Sequence, residues 1–570
     1  MFLKFARHAL AVTLVFSSVI AVSSPSRAEV WTPSPLPAES NQLSVTLDDG
    51  WRFYGAVSSV NNRGKYCEDW TGGCEPDAKA DLVANLILPV CSSAAEVFCL
   101  EGLELGSAGQ ETRPARVLRE LKGYNVPQNN RLGFPRGALP TLFESEVVNA
   151  SGSNEYMVSA RVLVGYENNK PKLIDFQTSV WAVQGKTDPT KSAVNFRPTD
   201  ATRPASVEGS WDAQCAGVEQ AYCAQIVDFA PETRVKVSLR ISSQITGWLK
   251  GRLTNPEVNS RTLSNGSVRY EISGEPVAVP IFGGNLPKSH PFFKSPDGMT
   301  TIGSPGGIYN TLRADSPTGV ELVSKFAEAV DDTAAALRTQ WYISTISTNA
   351  GNLQQCTERA GEFVGLVTTN AMAFDGGVPE FEAGVLKYNI AGLHYLPDGK
   401  TEALGTYDLA IKSDVARCLY GYGNAPISAT ISVVGDGEEQ KVAVTQVRER
   451  DGWLTLSAKG FTYSQNEIRA VVTQPQMRTL SDHPGRATAL TSKQRAEIRA
   501  VLAKGKANTK FICTGIRLEG QSESMNRTVR LRAKLACGYA KSLDPKLSTF
   551  FQTKTTKARS FNGRVMVVSK

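Results

Sequence analysis

The sequence predicts a mainly β, multidomain protein built from sandwich-type modules and ending in a smaller α+β module. Long stretches alternate apolar and polar residues with a period of two, as Val235–Ile241 does, and this is the pattern of a strand with one buried face. Turn sequences such as Asp451-Gly452 separate these runs. A chain of 570 residues is long enough for about three to five domains.

The start of the chain, residues 1–28, has the pattern of a cleavable secretory signal. Lys4 opens a basic region, Leu10–Val22 is an apolar run, Pro25 breaks any helix, and Ala28 is a small residue of the kind that signal peptidase reads. The apolar run is short for a membrane span, although an uncleaved anchor is the alternative. We therefore expect a secreted, cell-surface-associated protein with no integral membrane span after signal cleavage.

All ten cysteines follow this signal. An even number of cysteines in an oxidising compartment predicts disulfide bonds. Zinc is the alternative, but a zinc site usually needs closely spaced cysteines or nearby histidines, so we expect no metal site and no cofactor. The spacing suggests five pairs: Cys67 with Cys74, Cys91 with Cys99, Cys215 with Cys223, Cys356 with Cys418, and Cys513 with Cys537.

Composition and turn signals predict the domain boundaries. Stretches rich in Pro, Ser, Thr and Gly, without apolar periodicity, are typical of linkers. The predicted division is a signal peptide at 1–28, a β-rich domain at 29–184, a linker at 185–210, a β-rich domain at 211–317, an α+β domain at 318–425, an immunoglobulin-like β-sheet segment at 426–472, a linker at 473–489 and a basic α+β domain at 490–570.

The immunoglobulin-like segment rests on a hairpin signal. Asp451-Gly452 lies between the alternating runs 441–448 and 453–458, and glycine adopts the positive φ of a tight hairpin turn at little cost. A second turn, Pro397–Lys400, lies between two further alternating runs. With the apolar runs at 429–434 and 468–472, these strands predict a small antiparallel sheet or an immunoglobulin-like sandwich.

Two further patterns in the body have a structural interpretation. Apolar residues recur at helical spacing over Val320–Trp341, which predicts a helix. Gly-Trp pairs recur at Trp51, Trp248 and Trp453. A tryptophan at the start of a strand is more often a core residue than a platform for stacking sugars, so we expect these three to be buried.

Positive charge is concentrated at the C-terminal end. Residues 486–570 contain 19 Lys and Arg and 4 Asp and Glu, a net charge of +15, whereas residues 29–485 contain 40 and 51, a net charge of −11. Outside a cell, a basic module suggests an anionic wall polymer, a lipid surface or a nucleic acid as partner. A solvated basic face without a partner is the alternative.

The last module has a pattern of its own. Thr491 and Gln494 form a capping-box sequence, which predicts a helix that ends near residue 503. A strand is predicted over 509–516, and a second helix, over 526–542, carries an apolar stripe. Strands are expected near 547–553 and 564–568. The predicted order is therefore αβαβ with a final strand.

This module resembles the OmpA-like, peptidoglycan-associated domain. The resemblance is carried by the helix start at Leu490, the strand end Thr514-Gly515, Asn526 and the Arg532-Ala533 pair. It implies binding of peptidoglycan stem peptides through an arginine on the helix and an aspartate in the preceding loop. Arg532 matches the arginine, but Arg517 or Leu518 stands where the aspartate is expected, with Glu519 the nearest carboxylate. The resulting wall-binding residues are Asn526, Arg530, Arg532 and Lys534, of which Arg530 and Lys534 supply charge.

The body resembles a group of secreted actinobacterial proteins. The resemblance is carried by 416–421, 451–454, 460–464, 247–249 and 251–253. It implies export and gives no activity.

Motifs for catalysis are absent from the sequence. It contains no Gly-x-Ser-x-Gly elbow, P-loop, His-Glu-x-x-His or Asp-rich calcium loop. The histidines after the signal are His290, His394 and His483. A glycosidase with two carboxyl groups remains an alternative because its acids can be distant in sequence. Examples of such acids, none distinguished from many others, are Glu96, Glu219, Glu380 and Asp408.

Together these patterns predict a secreted, non-catalytic cell-envelope protein. Its basic C-terminal domain would bind peptidoglycan or another anionic wall polymer, and its β-domains would present binding surfaces. The alternative is an extracellular polysaccharide hydrolase with a C-terminal wall-targeting module, which predicts a deep cleft with paired acids of shifted pKa. Nucleic-acid binding is not expected, since it would need exposed stacking aromatics. The aromatic residues of the basic module to consider are Phe550, Phe551 and Phe561.

Overall fold

The structure is a computed structural model of the 570-residue chain. The predicted signal peptide, Trp51, Cys74 and Phe561 lie outside the residues that it describes. The described residues are 36, 40–48, 58–62, 65–70, 82–107, 110–167, 170–199, 205–209, 212, 214–241, 245, 247–294, 309–346, 356, 363–382, 385–420, 428–435, 438–440, 444–450, 452–463, 465–473, 476–483, 487–504, 510–557 and 562–569.

Strands dominate the described residues, as the sequence predicts. In chain order they are β1 Gln42–Asp48, β2 Ser59–Asn62, β3 Lys65–Cys67, β4 Leu82–Ile87, β5 Cys99–Gly106, β6 Arg113–Pro114, β7 Arg116–Glu120, β8 Thr141–Glu144, β9 Glu155–Glu167, β10 Lys170–Thr187, β11 Asn195–Arg197, β12 Ser206–Glu208, β13 Cys215–Glu219, β14 Tyr222–Val227, β15 Arg234–Ile241, β16 Gly247–Arg252, β17 Thr254–Thr262 and β18 Val268–Glu275. The strands of the second half are β19 Val277–Ile281, β20 Gly283–Pro287, β21 Tyr309–Arg313, β22 Ala336–Thr345, β23 Phe363–Thr369, β24 Ala373–Phe374, β25 Glu380–Glu382, β26 Val385–Ala391, β27 Leu404–Lys412, β28 Ser428–Gly435, β29 Glu438–Gln440, β30 Val444–Arg450, β31 Trp453–Thr462, β32 Gln465–Thr473, β33 Gln476–Thr479, β34 Lys510–Leu518, β35 Ser548–Thr556 and β36 Val565–Ser569.

Helices are few among the described residues. The α-helices are α1 Pro317–Phe326, α2 Ser413–Tyr420, α3 Ser492–Lys504 and α4 Glu523–Leu543, and short 3-10 helices occur at Pro291–Lys294 and Glu328–Val330. None of the helices in the described part of the chain is long and apolar enough to cross a membrane.

One large sheet runs through the body. It contains 16 strands, and its main path is β3-β2-β4-β9-β10-β22-β16-β23-β27-β31-β30. The first strands come from the N-terminal third of the chain and the last from beyond residue 440. Strands distant in sequence are therefore hydrogen-bonded neighbours.

A five-stranded sheet, in the order β17-β18-β15-β5-β6, covers one face of this large sheet. On β15 the apolar side chains face the core between the two sheets, whereas Lys236 lies on the other face and pairs with Glu104 at 3.0 Å. The alternation predicted for this segment is confirmed. The buried apolar residues of β15 are Val235, Val237, Leu239 and Ile241.

A six-stranded sheet covers the opposite face at the other end of the large sheet. Its path is β24-β26-β32-β28-β29, with β25 paired to β26. Leu366 of β23 belongs to the first core and the adjacent Val367 to the second. Because successive side chains of a strand point to opposite faces, the two cores lie on opposite sides of the large sheet. These sheets thus form two β-sandwiches that share the large sheet, and a separate three-stranded sheet, β20-β1-β21, packs with α1 around a third core.

The two predicted turns have different roles. At Asp451-Gly452 the strands β30 and β31 form the expected hairpin, with Arg450 opposite Trp453 and a φ of 81° at Gly452. At Pro397–Lys400 the chain also turns, but β26 before the turn joins the six-stranded sheet and β27 after it joins the large sheet. This second turn is therefore a corner between the two layers of a sandwich.

The predicted domain boundaries do not separate independent sheets. Strand β10, from the predicted domain 29–184, pairs with β14 of 211–317 and with β22 of 318–425. The predicted linker 185–210 begins within β10 and contains the β11–β12 hairpin. The sandwich expected at 426–472 also contains β23 to β27, which belong to the preceding predicted domain, 318–425. Composition indicated breaks here, but the backbone hydrogen bonds of the sheets cross them.

The helix predicted over Val320–Trp341 is correct only in its first part. Ser316 caps α1, and its Oγ accepts a hydrogen bond from the Gly319 N–H at 3.1 Å. After α1, Asp331 and Asp332 both have a φ of 52°, which no helix allows. The residues from Ala336 onward form β22, since pairing with β10, β16 and β19 outweighs their local helical spacing.

The C-terminal unit (residues 476–569) has its own core. Its sheet has the order β33-β36-β34-β35, with β34 and β35 parallel and the other pairs antiparallel. Strand β33 and the buried Leu480 show that the predicted linker 473–489 belongs largely to this unit. Helices α3 and α4 pack on one face of the sheet. The buried stripe of α4 is the predicted one: Val529, Ala533, Ala536, Cys537 and Ala540.

Disulfide bonds join four of the cysteine pairs suggested by spacing. Two of them close short loops in the body, one ties α2 to the segment before β23, and one ties β34 to α4. Cys67 is also disulfide-bonded. The described pairs are Cys91–Cys99, Cys215–Cys223, Cys356–Cys418 and Cys513–Cys537. Such bonds fit a protein that matures in an oxidising compartment.

Candidate binding sites

The first candidate site lies on the C-terminal unit, where the sequence places the wall-binding residues. Helix α3 starts with a capping box: the Thr491 N–H donates to Gln494 Oε1 at 2.9 Å, and the Gln494 N–H donates to Thr491 Oγ1 at 3.2 Å. The Gln494 side-chain amide also donates to the Ser481 carbonyl at 2.6 Å. These bonds satisfy orphan backbone donors of the helix and join α3 to the segment that follows β33.

Arg532, the residue that matches the family's ligand arginine, is buried. It is 4% exposed. Its Nε donates to the Ala487 carbonyl at 2.8 Å and its Nη1 to the Gly563 carbonyl at 2.6 Å. Burial lowers the pKa of this guanidinium from its ordinary value. The guanidinium therefore joins two loops, at residues 487 and 563, to α4.

The other three predicted wall-binding residues differ in exposure. Asn526 is half-buried, and its amide donates to Glu523 Oε1 of the same helix turn at 3.2 Å. Arg530 and Lys534 are exposed on α4. The structure thus places Arg530 and Lys534 on the outer surface, and it does not bring the Arg532 guanidinium to that surface.

The loop that would carry the family's aspartate follows β34. Arg517 Nη1 donates to the Gln521 carbonyl at 3.2 Å, so the arginine closes the loop onto itself. Glu519 is exposed, and its backbone N–H donates to Thr556 of β35 at 3.0 Å. No carboxylate of this loop contacts Arg532 among the described contacts, which agrees with the missing aspartate of the motif.

The two helices of the C-terminal unit together form a cationic surface, which we call the helical surface. Arg499 of α3 donates to the Tyr539 hydroxyl of α4 at 2.6 Å, so the helices lie side by side. The exposed leucines of α4 include Leu531 at 43% and Leu535 at 39%. The carboxylate of α3, Glu497, is buried. The exposed basic residues of this surface are Lys493, Arg495, Arg499, Arg527, Arg530, Lys534 and Lys541.

His483 lies beside Arg532 under this surface. It is 7% exposed, and its Nδ1 accepts a hydrogen bond from the Gln494 amide at 3.1 Å. Burial and the positive charge of Arg532 lower the pKa of His483 to about 4. The imidazole is therefore neutral at physiological pH and acts as a structural acceptor.

The opposite face of the C-terminal sheet carries the aromatic residue relevant to nucleic acid. Phe550 is 52% exposed, whereas Phe551 packs against the core of the unit. A single exposed ring in the described part of this unit gives no row of stacking platforms.

The second candidate site is a pocket of 240 Å³ in the body, between β17 and the β30–β31 hairpin. We call it the Trp453 pocket. Its base is formed by the large sheet: the rings of Phe363 and Trp453 have centroids 5.1 Å apart, and Leu366 and Ala410 lie beside them. Its side is formed by β17. The lining residues are Pro256, Glu257, Val258, Asn259, Phe363, Leu366, Ala410, Arg448, Arg450, Trp453 and Thr455.

Charged side chains surround the indole of Trp453. Arg450 and Lys412 are its cross-strand neighbours on β30 and β27, and Arg448 stands opposite Thr455, two pairs further along. Residues directly opposite each other in antiparallel strands share a face. The cations therefore lie on the same side of the sheet as the indole.

The tryptophans expected to be core residues have two different environments. Trp248 is 1% exposed in the core of the second sandwich, as predicted. Trp453 is half-buried and lines the pocket. The sequence contained a signal for this environment. A two-residue hairpin at Asp451-Gly452 places Arg450 opposite Trp453, and Arg448, two residues earlier, lies on the same face of the strand.

A second pocket in the body, of 460 Å³, lies beside the Cys91–Cys99 disulfide loop. Arg240 enters it and donates to the carbonyls of Ala94 and Glu96, each at 2.7 Å. The same guanidinium pairs with Glu101 at 2.6 Å. The charges in this pocket neutralise each other and hold the disulfide loop on the five-stranded sheet, so its role is structural.

Three of the four acids considered for glycoside hydrolysis have structural partners, and the fourth, Glu380, is exposed. Glu219 pairs with Arg119 at 2.7 Å, and Glu96 accepts the Ser92 N–H at 2.6 Å. Asp408 is 1% exposed and accepts a hydrogen bond from Thr254 Oγ1 at 2.8 Å. None of these three carboxyl groups lines the Trp453 pocket.

Two carboxyl groups in the described part of the chain have a raised pKa. Burial raises the pKa of Asp408 and of Asp375. Asp375 accepts the Asn389 N–H at 2.7 Å. Neither residue lines either pocket. These two pockets therefore contain no pair of carboxyl groups with a raised pKa, which the hydrolase alternative predicts.

Among the described residues, no three His, Cys, Asp or Glu side chains cluster in a way that could hold a metal ion.

Comparison with models of known protein families, with curated proteins and with solved structures gives no match to this chain.

Proposed function

We propose that this chain is an exported, non-catalytic cell-envelope protein that binds an anionic wall polymer through the helical surface of its C-terminal unit. The observation that carries the proposal is the set of seven exposed cations on α3 and α4, in a region with a net charge of +15. The two β-sandwiches of the body present further surfaces for binding.

The charge arrangement supports a polymer more than a single small anion. The exposed cations extend along both helices rather than converging on one point. Each exposed charge contributes at most about 1 kcal/mol by itself, so strong retention needs many charges to act together along a chain of anions. Such binding weakens as salt screens the charges, since the Debye length is about 8 Å at physiological ionic strength.

The proposed ligand residues differ in role from those of the OmpA-like pattern. Arg530 and Lys534, with Arg527 one turn earlier, are the outward-facing charges of α4. Arg532 supports the site from beneath, because its guanidinium binds the loops at Ala487 and Gly563. We also propose that this unit is related to the OmpA-like domain that its sequence resembles.

The test is co-sedimentation of the mature protein with purified cell-wall sacculi at low and high salt. We expect the double variant Arg530→Gln/Lys534→Gln to bind about three- to tenfold more weakly at low salt, since two charges are lost from the surface. A truncation that ends before Gln476 should abolish binding. The truncation must remove β33 because this strand pairs with β36.

Two controls sharpen the result. Lys122→Gln/Lys172→Gln removes the same charge from exposed positions of the body and should bind as the unaltered protein does. Vesicles with anionic headgroups replace the sacculi in a parallel series, since Leu531 and Leu535 are exposed beside the cations. Equal loss in both double variants would refute the helical surface as the site, and retention on vesicles alone would refute the wall polymer as its ligand.

A further inference from the structure

The Trp453 pocket combines an aromatic surface with guanidinium groups, and nothing in the proposed wall binding uses it. We propose that this pocket binds one acidic monosaccharide unit, a pyranose ring that carries a carboxylate. The site belongs to the body and is independent of the C-terminal unit.

The aromatic part of the pocket supplies the surface for the ring. Trp453 is half-buried, and it packs against the buried Phe363, whose ring centroid is 5.1 Å away. One side of the indole is thus fixed by the core while the residue still lines the pocket. The apolar C–H face of a pyranose fits a flat aromatic side chain, and the rigid base keeps the entropy loss on binding small.

The charged part of the pocket selects an anion. Arg448 and Arg450 both line it, from alternate positions of the edge strand β30. A guanidinium binds a carboxylate through two parallel hydrogen bonds. The acid that lines the pocket, Glu257, pairs with Arg234 at 3.1 Å, so its charge is compensated from outside the pocket.

The remaining polar groups suit sugar hydroxyls. Asn259 on β17 lines the pocket, and its amide can both donate and accept hydrogen bonds. The volume of 240 Å³ is slightly below the range of about 300–1,000 Å³ for typical ligand pockets. The pocket therefore takes a single ring, with any attached chain leading out to solvent.

The test is a ligand-observed NMR titration of the full mature chain with glucuronate, glucose and inorganic phosphate at low salt. We expect glucuronate to bind with a dissociation constant on the order of 1 mM. Glucose lacks the carboxylate and phosphate lacks the apolar face, so each should bind about tenfold more weakly.

Substitutions identify the pocket. Arg448→Gln leaves the buried core intact, since Arg448 is exposed, and should weaken glucuronate binding about fivefold or more. Trp453→Phe keeps the aromatic contact with Phe363 but shrinks the platform, and should weaken glucuronate more than phosphate. The control is Arg261→Gln, an exposed arginine of β17 outside the pocket lining, which should have no effect.

Three outcomes would overturn the proposal. One is the absence of saturable glucuronate binding below about 50 mM, well above the expected constant. Another is phosphate binding that equals glucuronate binding and is insensitive to Trp453→Phe. The third is an equal loss in Arg448→Gln and Arg261→Gln. Because the probes are soluble monosaccharides, failure here is distinct from failure of sedimentation with sacculi.

Discussion

Replacing Arg532 by alanine tests whether this residue is structural or a ligand. The change removes donors to the carbonyls of Ala487 and Gly563, at 2.8 and 2.6 Å, and leaves a space in a site that is 4% exposed. Each hydrogen bond from a charged group contributes about 1.5–3 kcal/mol, and an unpaired buried carbonyl adds its own cost. We expect the free energy of unfolding of the C-terminal unit to fall by about 3 to 5 kcal/mol.

The assay is native-state hydrogen exchange of the full mature chain, followed by mass spectrometry of peptides from β34 and β36. Their amides pair with each other in the sheet, so they exchange when the unit opens. The expected loss corresponds to an exchange rate about 140- to 3,700-fold higher, at about 1.4 kcal/mol per factor of ten. The body provides the internal reference, since peptides from β9 and β10 should be unchanged.

The matched control is Arg530→Ala, two residues earlier on the same helix. Arg530 is exposed, and such substitutions usually change stability by less than about 0.5 kcal/mol. An increase in exchange of less than about tenfold in Arg532→Ala would refute the structural role, because it corresponds to less than about 1.4 kcal/mol.

Two further predictions concern the same unit. Unfolding returns the pKa of His483 from about 4 to its ordinary 6.5, so the unfolded chain binds the proton more readily. The free energy of unfolding of the unit should therefore fall by up to about 3 kcal/mol as pH decreases from 6.5 to 4. Hydrogen exchange at pH 7 and pH 4.5 measures this loss, and the loss should be smaller in His483→Asn. Gly515→Ala would place a Cβ 2.3 Å from the Val529 carbonyl oxygen, so α4 must move and the unit should lose about 2 to 4 kcal/mol. Gly538→Ala meets nothing within 4 Å and should be neutral or stabilising by up to about 1 kcal/mol in the same hydrogen-exchange assay. Equal effects of the two substitutions would contradict the packing argument.

The elements predicted correctly are those that a few neighbouring residues determine. The alternation in β15 predicted a strand because one of its faces is in the core. The capping box predicted the start of α3 because Thr491 and Gln494 bond to each other. The Asp451-Gly452 hairpin followed from the backbone preference of glycine.

The pairing of distant strands was beyond those patterns. Strand β16 lies between β22 and β23, which come from about a hundred residues further along the chain. Periodicity shows that a strand has a buried face, but it does not show which strand lies beside it. The strand pairings cross the predicted domain boundaries for this reason, since those boundaries were based on composition along the chain.

The candidate sites show the same limit. Arg530 and Lys534 were predicted to supply charge, and their exposure on α4 agrees with that. Arg532 follows Val529 by three residues and precedes Ala536 by four, so its place on the buried stripe could be read from the helical period. The Trp453 pocket could not be predicted as a whole, because β17 reaches it from a different sheet.

The shared large sheet has a consequence for how the chain acquires its structure during synthesis. Synthesis delivers the N-terminus first, yet β16 and β10 find their partner β22 only after residue 345 has emerged, and β27 needs β31. The large sheet therefore remains incomplete until the chain has passed Thr462. Exposed apolar strands in that interval are prone to aggregate. The C-terminal unit, whose strands and helices are close in sequence, has no such delay and can close soon after it emerges.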